Sequence, residues 1–349
     1  MRTKHTKEAV IITQSIANQI AQHFTDYLNA WHSAPEVYDD ALDAQIHAMY
    51  AAVLTDKSRK VWPPRNIPYF SPSAAGACPR SLYEKALGAK KDVSVQSPHK
   101  GRWTRLGTQV GDMIQRDILF AEKHYDQPRF VFERNALGEP RFEQFAPGLT
   151  NITHNGAVFS LFGFCDGMML YRTDDGEVLR VGLEVKSKQT TSAKTSEYST
   201  RNGPEAKHVK QTVCYSRMYG VDYYVILYVN CAKKAWEMSA EDIAKTPDIK
   251  AYGLYITDEM RAEVFDGFAD IVHAVNAKIP PPLDIENFTF NNFKRACALS
   301  LTEDEIAVIE RKVSAISRSS LPDWKKRGPI EALTEIQRIR YEEEAKEAA

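Results

Sequence analysis

Leu179-Arg180-Val181-Gly182-Leu183-Glu184-Val185-Lys186-Ser187-Lys188 is the stretch on which the reading of this chain turns. Side chains alternate along an extended strand, so Leu179, Val181, Leu183 and Val185 share one face and Arg180, Gly182, Glu184, Lys186 and Lys188 the other. Glu184 and Lys186 are therefore neighbours. On its own, such a pair is more simply an amphipathic strand with one wet face than a catalytic one. What adds weight is Gly163-Phe164-Cys165-Asp166-Gly167, where a preceding strand ends and a hairpin begins. An antiparallel hairpin brings the carboxylates of Asp166 and Glu184 side by side. Asp-Gly is also a common turn dipeptide, so taken alone Asp166 reads as turn chemistry before it reads as a ligand.

Working outward, strands are expected over Phe130 to Arg134, Val158 to Phe164, Met168 to Tyr171 and Val178 to Lys186. Asp174-Asp175-Gly176 is a strong hairpin signal between the last two. A helix from about Pro204 to Tyr219 ends at Gly220, in the position of a left-handed cap. The apolar run Tyr223 to Val229 has the composition of a buried central strand. Ala232-Lys233-Lys234 reads as a turn into Trp236 to Met238. Upstream, Trp103 to Glu122 is helical, and its Gly107-x-x-x-Gly111 spacing permits close backbone approach. From Glu8 to Leu54 the spacing of Ile11, Ile12, Ile16, Ile20 and Phe24 is helical, and Trp62-Pro63-Pro64 through Pro68 forms a linker. Beyond Pro280-Pro281-Pro282 the chain is mostly helical and charged, ending in the solvated Glu342-Glu343-Glu344-Ala345-Lys346. The expected organisation is an α/β core over residues 66–300 with a central mixed sheet flanked by helices. A helical N-terminal extension over 1–65 and a charged helical tail over 301–349 complete it.

The 349 residues are 43% hydrophobic and 26% charged, enough to bury a sizeable core. Lysines and arginines number 45 against 46 aspartates and glutamates, so any nucleic-acid contact must come from a local patch. No apolar run is long enough to span a bilayer and the N-terminus lacks a signal-type apolar region, which predicts a cytoplasmic protein with no membrane partner. The five cysteines, Cys78, Cys165, Cys214, Cys231 and Cys297, show no C-x-x-C spacing and are expected as reduced thiols.

Two carboxylates of this kind suit a hard divalent cation, magnesium or manganese, which keeps several waters and takes few protein ligands. Such an ion would polarise a phosphate and acidify a bound water, with Lys186 orienting that water. No Gly-x-Ser-x-Gly elbow or P-loop competes. Downstream, Gln211 and Tyr215 share a helix face with His208 on the same stripe; a core-packed tyrosine with a solvated glutamine fits the same spacing.

Gly-x-x-Asp166-Gly, Gly182-Leu183-Glu184-Val185-Lys186-Ser187 and Gln211-x-x-x-Tyr215, in that order, resemble the RecB-like branch of the PD-(D/E)XK nucleases, which includes the CRISPR-associated RecB-like exonucleases. The resemblance covers roughly residues 70 to 235. It implies a restriction-endonuclease-like core, a catalytic set of Asp166, Glu184, Lys186, Gln211 and Tyr215, and a magnesium or manganese ion at Asp166, Glu184 and Val185. Ser71-Pro72-Ser73 and Cys78-Pro79-Arg80-x-x-Tyr83 resemble the entry segment of that group, whose cysteine helps hold an iron–sulfur cluster with three C-terminal cysteines. Only Cys297 lies in the C-terminal third here, so no cluster is expected and Cys78 is expected as a packed thiol. The family's Gly-x-x-x-His is also broken, since Gly111 stands where the histidine would. Asp112, or Gln115 one turn on, is the candidate replacement, and Glu133 resembles an acidic family position near the metal. Arg80, Lys85, Lys90, Lys91, Lys100, Arg102 and Arg105 form a basic stretch; Arg80, Arg105, Lys188 and His208 are the candidate DNA contacts. The resemblance implies an exonuclease of recombination, repair or phage DNA metabolism, in a prokaryotic or phage-infected cell. DNA is the expected partner, with a recombination or single-strand-annealing protein as a second. A structure-selective endonuclease and a DNA-binding protein with a weakened centre remain as alternatives.

Overall fold

A computed structural model describes residues 2–93 and 97–347, with side chains from residue 12 onward, so Ile11 of the expected apolar stripe lies outside the described side chains. In chain order the helices are α1 (Arg2–Ser33), α2 (Asp40–Thr55), α3 (Pro79–Ala86), α4 (Pro98–His124), α5 (Glu197–Thr200), α6 (Ala206–Tyr219), α7 (Ala240–Lys245), α8 (Asp258–Ala277), α9 (Lys294–Leu299), α10 (Glu303–Arg318) and α11 (Asp323–Glu347). The strands are β1 (Tyr69–Phe70), β2 (Phe130–Phe132), β3 (Pro147–His154), β4 (Ala157–Phe164), β5 (Gly167–Arg172), β6 (Val178–Lys188), β7 (Tyr223–Asn230) and β8 (Ile249–Tyr255). This is the expected mixed α/β architecture with helical N- and C-terminal regions. None of the described helices is long and apolar enough to cross a membrane.

The chain divides into two compact units, Met1–Pro63, Gln96–Thr150 and Leu161–Ala262 in the first and Pro64–Val95, Asn151–Ser160 and Glu263–Ala349 in the second. This differs from the expected division at residues 65 and 300. The N-terminal helices belong to the unit that carries the central sheet, because α1 buries Ile20, Phe24 and Leu28 in the same apolar cluster as Val181, Leu183 and Val225. The helical stretch expected from Glu8 to Leu54 breaks near Pro35, which cannot donate to a helix ladder, and α2 restarts where the Asp39 carboxylate accepts the Leu42 N–H at 2.9 Å.

The first unit is built on a five-stranded sheet of order β2-β5-β6-β7-β8. β5 and β6 form the expected antiparallel hairpin, closed by Gly176 at φ 88°. β6 then pairs in parallel with β7, and α6 makes the crossover. That helix stops at Gly220, whose φ of 65° and N–H bond to the Ser216 carbonyl form the left-handed cap. Every residue of β7 after Tyr223 is buried, as its apolar run requires. On β8, a strand absent from the sequence reading, Gly253 lets α1 approach. A Cβ there would fall 1.8 Å from the Ala17 carbonyl oxygen, so only glycine permits this helix-on-sheet packing. No strand forms over Trp236 to Met238, where Trp236 is fully exposed.

In the second unit α9, α10 and α11 surround a core of Phe288, Cys297, Leu301, Ile309, Val313 and Ile336. α11 packs through Ala332, Ile336 and Ile339, one apolar stripe beneath its charges, while the expected solvated end, Glu342-Glu343-Glu344-Ala345-Lys346, stays largely exposed. α10 starts with a capping box between Thr302 and Glu305. The five cysteines form no disulfide, and the buried Cys78 sulfur accepts the Asp284 N–H at 3.3 Å.

Candidate active site

The β5–β6 register pairs Gly167 with Leu183; continued by one residue, it sets Asp166 opposite Glu184. The Asp166 carboxylate accepts the Val185 N–H at 2.7 Å, so the residue just before β5 is fastened to the middle of β6. Val181, Leu183 and Val185 go into the core, which leaves Glu184 and Lys186 on the other face, as alternation requires. Two glycines make room. A Cβ at Gly182 would stand 2.1 Å from the Tyr224 ring, and one at Gly167 would stand 2.8 Å from the Phe132 ring.

Glu184 is fully buried and forms an ion pair with Lys186. Its two carboxylate oxygens nevertheless receive no well-directed hydrogen bond. Burial, reinforced by the charge of Asp166, raises the Glu184 pKa. Burial also raises that of Asp166, against the pull of Lys186 and the Val185 N–H. Lys186 is driven the other way by burial, yet Glu184 and Asp166 hold it protonated.

A further carboxylate joins this group that the sequence reading missed. Glu143 sits on a 3-10 turn, Glu143–Phe145, in the left-handed region at φ 44°, and its N–H donates to the Cys165 carbonyl at 2.8 Å. Burial, with Asp166 and Asp112 adding, pushes its pKa up to about 7. A non-glycine residue held at positive φ beside an acidic centre is the kind of strain that functional sites retain. Asp112 is exposed on α4, where it accepts from Gln109 at 3.0 Å and adds its charge to that of Glu143. Gln115, buried, donates to the Asp166 carbonyl at 2.9 Å, and its own side-chain oxygen has no partner.

Tyr215 is 5% exposed, and its hydroxyl donates to the Phe164 carbonyl at 2.5 Å, two residues before Asp166. Burial, then the charges of Glu184 and Asp166, raise its pKa, and its bond to the Phe164 carbonyl braces the chain entering Asp166. Gln211, half-buried, hydrogen-bonds with Tyr215.

Other expected site residues lie elsewhere. Glu133 is engaged by Arg180 at 3.0 Å and Arg141 at 3.2 Å, an ion-pair cluster at the other end of β6 that leaves it no part in the acidic centre. Arg80, expected to contact DNA, is wholly buried in the second unit and paired with Glu305. His208 is also buried, its Nδ1 2.9 Å from the Tyr228 hydroxyl, and burial lowers its pKa. Lys188 pairs with Glu205 and lies 3.9 Å over the Tyr228 ring. Of the four candidate DNA contacts, Arg105 on α4 is the one that is exposed.

Whether a cation fits is decided by the donors. The Glu184 oxygens are buried and undirected, and the charge of Asp166 helps raise the pKa of both Glu184 and Glu143. Among the described residues no three His, Cys, Asp or Glu side chains are already drawn together as a metal-holding group. A magnesium-class ion takes only one or two carboxylates and keeps its waters, and Asp166 and Glu184 are the hard-oxygen side chains here that could supply them.

No family model and no curated protein matches the chain. Among solved structures it is similar to SSO0001, with 13% identity and a TM-score of 0.38 over 74% of this chain and 98% of that one. It is also similar to the alkaline exonuclease LHK-Exo of Laribacter hongkongensis, at 11% identity and a TM-score of 0.38 over 61% and 90% of the two chains. LHK-Exo in complex with dAMP gives 11% and 0.34 over 60% and 88%.

Proposed function

We propose that this chain is a divalent-metal-dependent deoxyribonuclease of the PD-(D/E)XK type, RecB-like branch, acting as an exonuclease in recombination, repair or phage DNA metabolism. One observation carries the proposal: the β5–β6 hairpin sets Asp166 against the Glu184–Val185 backbone with Lys186 paired on the same face. Asp166 and Glu184 would hold the cation beside the Val185 main chain, with Glu143 and Asp112 as further carboxylates around it. Magnesium or manganese bound there supplies Lewis acidity for the scissile phosphate and a bound water of lowered pKa. Lys186, kept protonated by its carboxylate neighbours, orients the attacking water and offsets charge developing on the phosphate. Tyr215 and Gln115 hold the main chain on both sides of Asp166, which fixes where its carboxylate stands. Cysteine chemistry does not compete, since burial raises the pKa of the Cys165 and Cys214 thiols and keeps them protonated.

The exonuclease preference comes from the resemblance of Gln211-x-x-x-Tyr215 to the family motif. End-labelled linear duplex, covalently closed circular DNA and single strands, each with and without magnesium, test it. Progressive shortening of linear DNA with circles spared is the expected result. Cutting of circles would replace the exonuclease with an endonuclease, and no magnesium-dependent cleavage of any form would overturn the proposal.

A further inference from the structure

The first turns of α4, from Pro98 to Gln109, bury no side chain, whereas the same helix buries Val110, Ile114, Ile118 and Leu119 further along. Burial of apolar side chains thus accounts for the second part of α4 and not for the first. Among the exposed side chains are Trp103, 38% exposed, and Leu106, 46% exposed, three apart on one helix face. Single exposed apolar residues are ordinary; here two of them stand together amid Lys100, Arg102 and Arg105. From Pro98 to Gly111 there is no carboxylate at all, in a chain of formal net charge −1.

This segment is tied to the catalytic strand. Gln189, three residues beyond Lys186, donates to the Trp103 carbonyl at 3.1 Å and to the Ser187 hydroxyl at 2.9 Å. At Gly107 a Cβ would stand 3.3 Å from that hydroxyl oxygen, so α4 passes over the end of β6 with little room for a side chain.

Resting on the nuclease reading above, we propose that the start of α4 is a stacking platform for the unpaired end of a DNA strand on its way to Asp166, Glu184 and Lys186. Trp103, braced edge-to-face by His99 at 5.7 Å between ring centroids, takes a base; Lys100, Arg102 and Arg105 take phosphates. Cations alone would serve an intact duplex, whose bases are already stacked on one another. The apolar pair beside them is what unpaired bases need, and stacking on an aromatic ring tolerates any base, as a processive substrate demands.

The test uses the full chain carrying Lys186→Ala, which keeps the DNA intact, in magnesium buffer. Binding of a labelled oligothymidylate and of a blunt hairpin duplex is followed by fluorescence anisotropy, with and without Trp103→Ala or Trp103→Phe. Trp103→Ala should weaken oligothymidylate binding by about tenfold, Trp103→Phe by about twofold, and duplex binding should change by less than about twofold. Melting temperature should not move, since the ring packs against no core. Unchanged oligothymidylate affinity overturns the platform, and equal loss on both DNA forms overturns its selectivity for unpaired ends. If the platform fails while the unsubstituted chain still cleaves DNA, the nuclease reading stands. If the unsubstituted chain neither binds nor cleaves DNA, both fall.

Discussion

Glu143→Gln separates an electrostatic role at the acidic centre from a merely structural one, and its effect can be worked from the site. The carboxyl is carried from an ordinary 4.5 to about 7 by burial and by the charges of Asp166 and Asp112. The folded pKa lies above the unfolded one, so the contribution of this group to stability is full below about pH 4.5 and is lost as pH rises through about 7. At 1.36 kcal/mol per tenfold change, the loss between pH 5 and pH 8 is about 2 to 3 kcal/mol. Glutamine cannot ionise, so the variant lacks that part of the pH dependence. The assay is urea unfolding in EDTA at both pH values. The parent should lose about 2 to 3 kcal/mol more than Glu143→Gln on going to pH 8. Magnesium added at pH 8 should recover stability in the parent more than in the variant, because the cation offsets the clustered charge. Parallel pH profiles, within about 0.5 kcal/mol, would refute the placement of Glu143 among the carboxylates.

Tyr215→Phe removes only the hydroxyl bonded to the Phe164 carbonyl, so it should cost about 0.5 to 1.5 kcal/mol of stability. It should lower the cleavage rate while DNA affinity holds; loss of affinity instead would make the hydroxyl a substrate contact. Gly182→Ala drives a Cβ into the buried Tyr224 ring and should destabilise by about 1 to 3 kcal/mol, visible as a lower melting temperature. Arg80→Met breaks the pair with Glu305, whose side chain is 33% exposed, so the cost should be about 1 to 3 kcal/mol, less than for a fully buried pair. DNA affinity measured by anisotropy should not change, and a clear loss would return Arg80 to the binding surface.

The hairpin that makes the site was legible because Asp174-Asp175-Gly176 marks its turn and strand alternation alone puts Glu184 beside Lys186. Equally local were α6 with its Gly220 stop and the buried strand β7. The β3–β4 hairpin carries a comparable signal in Asn155-Gly156, both at positive φ, but β3 begins at a proline and is only partly buried, so no apolar alternation announced it. Glu143 had no signature at all, since its place beside Asp166 depends on a strained turn and a contact with Cys165. Arg80 misled because a charge read along the chain is taken for a surface. It is the fold around α3 and α10 that buries it against Glu305. Charge likewise hid the stripe Ala332, Ile336 and Ile339, which turns the C-terminal segment into a packed helix.

The centre itself is tested most directly by the rate of cleavage of end-labelled linear DNA in magnesium, manganese, calcium or EDTA, for the parent, Glu184→Gln and Lys186→Ala side by side. The parent should cut in magnesium and manganese and be nearly silent in calcium, whose looser coordination activates water poorly. Both variants should fall by orders of magnitude, with Lys186→Ala still binding DNA. Full cleavage by the parent in excess EDTA, or near-parental cleavage by either variant, would contradict the assignment of Asp166, Glu184 and Lys186.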